Sequence, residues 1–283
     1  MYKISKYPDG TSYISNVTSQ IQTFRINSYE DLWHLNQYVD AFNSQFGFAP
    51  NIIIANLLDA QADRRFNDGE SFGLKLVCKF LNSMNVKRFY IFHPHNPEVV
   101  EAMIDNVEII SNKEFVEEVL EAIADEGRYE SKEDMYNKLI LMSSDAGGFK
   151  PLTKLCDSIE WRGETFSAAK SRSWDEVHGT KFVQQIDREN FEGKDILIVD
   201  DICVYGGTFK GLAKLLKGRN IGKLYLAVSH ITVQNHKNSE LFDLYDRVFA
   251  TDSKYDSYYI PQKDGGVVPN NLEIIKYFNN EGN

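Results

Sequence analysis

Residues 195–216, DILIVDDICVYGGTFKGLAKLL, constrain this chain more than any other stretch. Ile196 to Val199 reads as a buried strand; Asp200 and Asp201 follow, and Gly206-Gly207-Thr208 opens an amphipathic helix. Free N–H groups at such a helix start favour a phosphate, and glycines let it approach the backbone. Two carboxylates beside that cradle would repel a bare phosphate. They make sense if they grip sugar hydroxyls or a Mg²⁺ that bridges phosphates. The chemistry indicated is that of a phosphorylated sugar.

At 283 residues the chain has room for one large or two medium α/β domains. A hydrophobic share of 42% with 25% charged residues is that of a soluble globular protein. No apolar run is long enough to span a bilayer, and the first residues, MYKISKYPDG, contain no signal-peptide core, so no membrane partner is expected. The net charge of −10 argues against non-specific nucleic-acid binding. Cys78, Cys156 and Cys203 are isolated, which makes disulfides and a structural zinc unexpected and a reducing cytoplasm the default location.

Tyr7-Pro8-Asp9-Gly10-Thr11 is a turn in an extended region, and residues 21–26 read as a strand. Ser28 caps a helix whose face is Leu32, Leu35, Val39 and Phe42. Strand 52–54 runs into a polar loop holding Asp63 and Arg64, then a helix over 71–81. Strand 88–92 ends at His93 and His95, which no Cys or acid accompanies at metal-site spacing. A charged helix over 114–126 and an acidic run place a domain boundary near residue 130. Beyond it, strand 139–142 meets Asp145, Gly147 and Gly148 before a helix, a second strand–glycine–helix unit. A short strand over 165–169 leads to Lys170 and Arg172, and the polar run SWDEVHGT suits a mobile lid. Strands over 223–229 and 248–250 flank a helix near 240–245, and Leu272, Ile275 and Phe278 share the spacing of one face of a helix over 271–278.

These motifs, in this order, resemble those of the ribose-phosphate diphosphokinase (PRPP synthetase) family, of the type I phosphoribosyltransferase fold. Asp200 to Thr208 resembles the family's phosphoribosyl-diphosphate loop, and SDAGG resembles its SPDVGG diphosphate loop. Lys170 and Arg172 match the Lys and second Arg of its DKRR catalytic loop. YPDGT is similar to the FSDGE segment that holds adenine across a subunit boundary, with Thr11 at the Glu position. Asp63 and Arg64 match the end of YARQDR, while Gln61 and Ala62 replace Arg-Gln. His95 matches the His of DLH, whereas His93 stands for its Asp and has no assigned role. The family has a further strand and helix ahead of its FSDGE segment that this sequence does not show, so its usual assembly is not expected to carry over unchanged.

The resemblance implies an α/β fold of two phosphoribosyltransferase-type, Rossmann-like domains with an active site between them. The first is expected over residues 1–130, with a C-terminal helix within 266–283 packed back on it, and the second over 131–265. The implied reaction moves diphosphate from ATP to the anomeric hydroxyl of a ribose 5-phosphate moiety with Mg²⁺, releasing AMP. Lys170 and Arg172 would be catalytic, and Asp200, Asp201, Tyr205, Gly206, Gly207 and Thr208 would bind sugar phosphate. Asp145, Gly147 and Gly148 would form the diphosphate loop. Tyr7, Asp9, Asp63, Arg64 and His95 would meet ATP, and His95 and Asp145 the metal. A homo-oligomer is expected. The central loop departs from the family's DDIIDTAGT at Val204, Tyr205 and Gly206, poor tools for gripping a terminal phosphate dianion. They suit an esterified phosphate, which favours ADP-ribose, the acceptor of a phage branch that makes ADP-ribose 1-diphosphate for NAD synthesis, over ribose 5-phosphate, which gives PRPP and which the loop's backbone N–H groups would bind regardless. A phosphoribosyltransferase consuming PRPP and a non-catalytic regulatory homologue are the alternatives.

Overall fold

The computed structural model describes residues 2–175, 179–232, 239–255, 260–262, 265–267 and 269–278, with side chains over 2–169, 184–232, 240–255 and 269–278. The chain divides into two units. The first takes Met1–Ser111, Asp252–Asp256 and Lys276–Asn283; the second takes Asn112–Thr251 and Ser257–Ile275.

The first unit begins with an antiparallel hairpin, β1 (Lys3–Lys6) and β2 (Ser12–Ser15). It continues through β3 (Ile21–Arg25), α1 (Tyr29–Phe46), β4 (Asn51–Asn56), α2 (Gly73–Asn82), β5 (Arg88–Phe92), α3 (Pro97–Met103) and β6 (Val107–Ile110). The sheet is parallel with sequential order β3-β4-β5-β6. Ser28 starts α1 through a capping box with Asp31, and Gly47 ends it at φ 73°, a conformation that favours glycine. The apolar stripe read from the spacing, Leu32, Leu35, Val39 and Phe42, is buried, joined by Tyr38. Each such side chain contributes roughly 1.5–3 kcal/mol by leaving water.

Two late segments complete this unit. Asp252 is fully buried and accepts from the Arg25 guanidinium (3.0 Å) and from the backbone N–H groups of Tyr277 (2.9 Å) and Phe278 (3.0 Å). The same guanidinium donates to the carbonyls of Asp252 and Phe278. The Phe278 ring packs on Phe92, with ring centres 5.1 Å apart, beside Ala55. Residues at the end of the chain therefore do return to the first unit.

The second unit contains α4 (Lys113–Ala124), α5 (Lys132–Lys138), β7 (Leu139–Ser143), α6 (Phe149–Ser158), β8 (Thr165–Ser167), β9 (Ala169–Asp175), β10 (Gly179–Gln185) and β11 (Asp195–Cys203). It goes on with α7 (Gly207–Lys217), β12 (Leu224–Ile231), α8 (Ser239–Leu244), β13 (Arg247–Thr251), β14 (Ile260–Gln262), β15 (Gly265–Val267) and β16 (Leu272–Ile275). Six strands form one parallel sheet in the order β16-β13-β12-β11-β7-β8. Its inner strands β7 and β12 are buried along their whole length, as expected of a parallel sheet with both faces covered.

Two expectations need correction. The units divide at Ser111, not near residue 130, because α4 turns Phe115, Val116, Val119, Leu120 and Ile123 inward and packs against β12. Its charged outer face has the composition of a linker. The expected helix over 271–278 is strand β16, paired in parallel with β13 from Val248↔Leu272 to Thr251↔Ile275. Leu272 and Ile275 are both buried because a covered parallel sheet buries residues on either face, and their separation of three imitates a helical stripe.

Candidate functional site

The order of the large sheet places a topological switch point between β7 and β11. From β7 the chain crosses through α6 to β8 on one side; from β11 it crosses through α7 to β12 on the other. Such reversals open a crevice at the carboxyl ends of the two strands, where ligands of open α/β sheets bind. The pairing Val199↔Ser143 brings those ends into register. The loop holding Asp145, Gly147 and Gly148 thus follows the strand next to the one that ends in Asp200 and Asp201.

Hydrogen bonds hold this rim. The Ser144 hydroxyl donates to Asp200 Oδ2, and the Asp201 N–H donates to Asp200 Oδ1 at 2.9 Å. Burial, and next the neighbouring Asp201 charge, push the Asp200 carboxyl up to about 7. A carboxylate pair held in that state is relieved by hydroxyl donors or a cation. On the adjacent loop, the buried Ser143 hydroxyl lies 2.9 Å from the Asp145 carbonyl, and Asp145 Oδ1 accepts from Gly148 N–H at 3.1 Å. Helix α6 then starts with no side-chain cap and no acid in its first turn. Ser144 opens the SDAGG motif, but the contacts of Ser143 and Ser144 follow no periodic signal, and only strand register brings Ser144 to Asp200.

The start of α7 is where the phosphate cradle is expected. Gly206 takes φ 69°, and a side chain there would also press on Leu241, whose methyl carbons lie 3.4 Å from an ideal Cβ. The N-cap of α7, Gly206, makes no side-chain cap and no acid occupies the first turn, so the positive dipole end of α7 suits an anion. The buried Tyr245 hydroxyl donates to the Phe209 carbonyl at 2.8 Å and steadies the first turn. Thr208 is half-buried, and among the described residues no atom outside its chain neighbours lies within 4 Å of an ideal Cβ at Gly207. Tyr205 is 75% exposed. Among the described residues, open space therefore lies at Gly207, next to the exposed Tyr205, and not at Gly206.

Lys170 and Arg172 lie on β9, which pairs with β10 as an antiparallel hairpin; Lys170 stands opposite Gln184 and Arg172 opposite Phe182. Their side chains lie outside the described residues, as does part of the SWDEVHGT run, residues 176–178. The Gln184 amide donates to the Thr208 carbonyl at 2.8 Å, which ties the hairpin root to the cradle.

In the first unit, Tyr7 and Asp9 form the β1–β2 turn. Asp9 accepts from the Thr11 N–H and hydroxyl, which hold its carboxyl below the usual value, and Tyr7 is exposed. Asp63 and Arg64 follow β4, and His95 follows β5. Asp63, buried, accepts from Asn96 at 2.9 Å, and Arg64 lies 3.4 Å from the same carboxylate and over the Phe66 ring. Asn96, which caps α3, thus joins the two loops and places the exposed His95 beside them. Its role is hidden in an Asn-Pro pair that reads as a turn. Backbone at His93 takes φ 32°. A cavity of about 680 Å³ in the second unit, lined by Tyr129, Tyr136 and Trp161 among others, includes none of these residues. Among the described residues, no group of three or more His, Cys, Asp or Glu could hold a metal ion, and no helix is long and apolar enough to cross a membrane.

A switch-point crevice with a glycine-rich, uncapped helix start and an acid pair is the site of a phosphoribosyltransferase-type domain. The phosphoribosyl transferase domain model matches residues 105–262, more than half the chain, and the chain belongs to that family. Its curated relatives include the ribose-phosphate pyrophosphokinase of Saccharolobus solfataricus, 22% identical over 232 residues, which covers 80% of this chain and 74% of the relative. Ribose-phosphate pyrophosphokinase 2 of Archaeoglobus fulgidus is 25% identical over 250 residues, 88% of this chain and 82% of the relative. The phosphoribosylpyrophosphate synthetase of Mycobacterium smegmatis shares the fold, with a TM-score of 0.74 at 16% identity, over 98% of this chain and 86% of that one.

Proposed function

We propose that this protein transfers the β,γ-diphosphoryl group of ATP to the anomeric hydroxyl of a ribose 5-phosphate moiety, releasing AMP. The observation that carries this is the acid pair beside an uncapped, glycine-rich helix start, at a switch point, in a chain whose relatives are named ribose-phosphate pyrophosphokinases. Asp200 and Asp201 hold ribose hydroxyls, and the N–H groups of Gly206 to Thr208 cradle the 5-phosphate. Asp145, Gly147 and Gly148 flank the incoming diphosphate. Tyr7, Asp9, Asp63, Arg64 and His95 meet ATP, and Lys170 and Arg172 neutralise charge on the transferring group. Phosphoryl transfer asks for positioning and charge stabilisation more than for covalent chemistry.

Mg²⁺ fits this arrangement, since it binds through one or two carboxylates together with substrate phosphates and needs no all-protein cage. Asp145 offers the oxygen ligand it prefers; His95, the other side chain expected to meet it, offers imidazole, which suits it less. A bound ion would supply positive charge that offsets that of the phosphate oxygens.

For the acceptor we favour ADP-ribose over ribose 5-phosphate. The exposed Tyr205 ring and the open space at Gly207 support it, because an esterified phosphate needs room beyond the cradle and an adenine needs a ring to stack on. ³¹P NMR of ATP, Mg²⁺ and each acceptor tests both levels. AMP forming only with an acceptor is the expected result, and ADP as product would make the protein an ordinary kinase. A clear preference in kcat/KM for ribose 5-phosphate would remove ADP-ribose and leave a plain PRPP synthetase.

A further inference from the structure

Helix α7 and its N-cap contain three glycines, and the cradle explains two. Gly206 has a positive φ, and Gly207 lies open at the helix start. Gly211 is in the helix interior, where glycine is among the poorest residues. Its reason is Gln184. An ideal Cβ at Gly211 would lie 2.0 Å from Gln184 Oε1 and 3.2 Å from its Cδ. The absent side chain gives the Gln184 amide a seat against α7, from which its Nε2 donates to the Thr208 carbonyl at 2.8 Å. The contact comes from the strand partner of Lys170, since Gln184 and Lys170 face each other across the β9–β10 hairpin.

We infer that Gln184, seated on Gly211, is a positioning residue that fixes the root of the β9–β10 hairpin to the first turn of α7. It thereby sets where the backbone of Lys170 stands relative to the N–H groups that cradle the phosphate. Thr208 serves both sides of the device, its N–H facing the cradle and its carbonyl holding the hairpin. A carbonyl oxygen has two lone pairs, so the amide bond to Thr208 need not displace a helical one. The positioning role rests on the transfer reaction proposed above; the mechanical link between hairpin and helix does not.

The link can be broken from either side. Gln184→Glu keeps the shape but replaces the donor with a carboxylate that repels the Thr208 carbonyl. Gly211→Ala leaves Gln184 intact and pushes the far end of its flexible side chain away, which displaces the amide without a backbone clash. Hydrogen exchange of amides in β9 and β10, measured on the whole chain without substrates, should rise about tenfold in each variant, the size expected for one lost hydrogen bond of this kind. Gln184→Ala should do the same, and adding Gly211→Ala to it should change nothing further, since the atom it displaces is already gone. In AMP-forming turnover, Gln184→Glu and Gly211→Ala should lower kcat about tenfold and shift acceptor KM less than about twofold.

Unchanged hairpin exchange in Gln184→Glu and Gly211→Ala, or effects of Gln184→Ala and Gly211→Ala that multiply in the double variant, would overturn the link. Raised exchange with normal turnover would overturn the positioning role and make Gln184 a structural tie only. A parent protein that forms no AMP with any acceptor overturns the transfer reaction and the positioning role with it, while the exchange result still decides whether hairpin and helix are linked.

Discussion

Replacing Asp200 with Asn should make the free protein more stable and the enzyme inactive. In the structure Asp200 is half-buried, bonded to the Ser144 hydroxyl and the Asp201 N–H, and pushed up to about 7 by burial and by the Asp201 charge. A carboxyl whose folded pKa lies above its unfolded value near 3.8 favours folding while protonated. Its contribution is fully present below about pH 4 and is lost as pH rises through about 7. The full shift of roughly 3 units would correspond to about 4 kcal/mol, a ceiling that solvent screening of a half-buried pair reduces to about 1–2 kcal/mol. Asparagine keeps the oxygen that accepts from Asp201, lets Ser144 accept in turn, and carries no charge at any pH. In metal-free buffer at pH 8, Asp200→Asn should therefore melt about 2–4 °C higher than the parent, and the difference should vanish near pH 4. Scanning calorimetry at both pH values, with AMP formation assayed in parallel, measures it. A variant that melts lower than the parent at pH 8, or a difference independent of pH, would refute the assignment of repulsion to this pair.

Lys170→Ala and Arg172→Ala should each lower kcat by roughly 10²-fold or more while acceptor KM changes little, as for charge stabilisation realised in the transition state; steady-state AMP formation decides it, and an unchanged kcat removes the residue from the mechanism. Asp252→Asn should destabilise the first unit by about 3 kcal/mol, because it removes a fully buried carboxylate charge that pairs with the mostly buried Arg25 guanidinium and accepts from the Tyr277 and Phe278 N–H groups; urea unfolding followed by hydrogen exchange in β3 to β5 reads it, and a loss below about 1 kcal/mol would count against the ion pair as the clamp.

Both strand–glycine–helix units are legible in the sequence alone, because a buried parallel strand leaves an uninterrupted apolar run and the turn after it needs glycine. Val199, Asp200 and Gly206 declare themselves in that way. Other features are legible only in part. Lys170 and Arg172 read as a strand end, yet they lie within a hairpin whose partner strand begins beyond a polar run with no alternating pattern. β16 reads as a helix because its two buried residues lie on opposite faces of a covered sheet. The links through Ser144, Asn96 and Gln184 join residues 33 to 56 positions apart or, for Gln184, a hairpin to a helix. Such contacts depend on register and crossover direction, which no local window contains.

The return of Asp252 and Phe278 to the first sheet sets an order of manufacture. A first unit usually closes as it leaves the ribosome, ahead of any later unit. Here β3 to β6 can pair early, but Arg25 does not meet the Asp252 carboxylate until residue 252 has been made, and Phe92 does not meet the Phe278 ring until residue 278. The strands and helices of the second unit up to β13 are synthesised in that interval. The half made first is therefore the half finished last: a nascent chain stalled before residue 252 lacks the Asp252 carboxylate that pairs with Arg25, and one stalled before residue 278 lacks the ring that packs on Phe92.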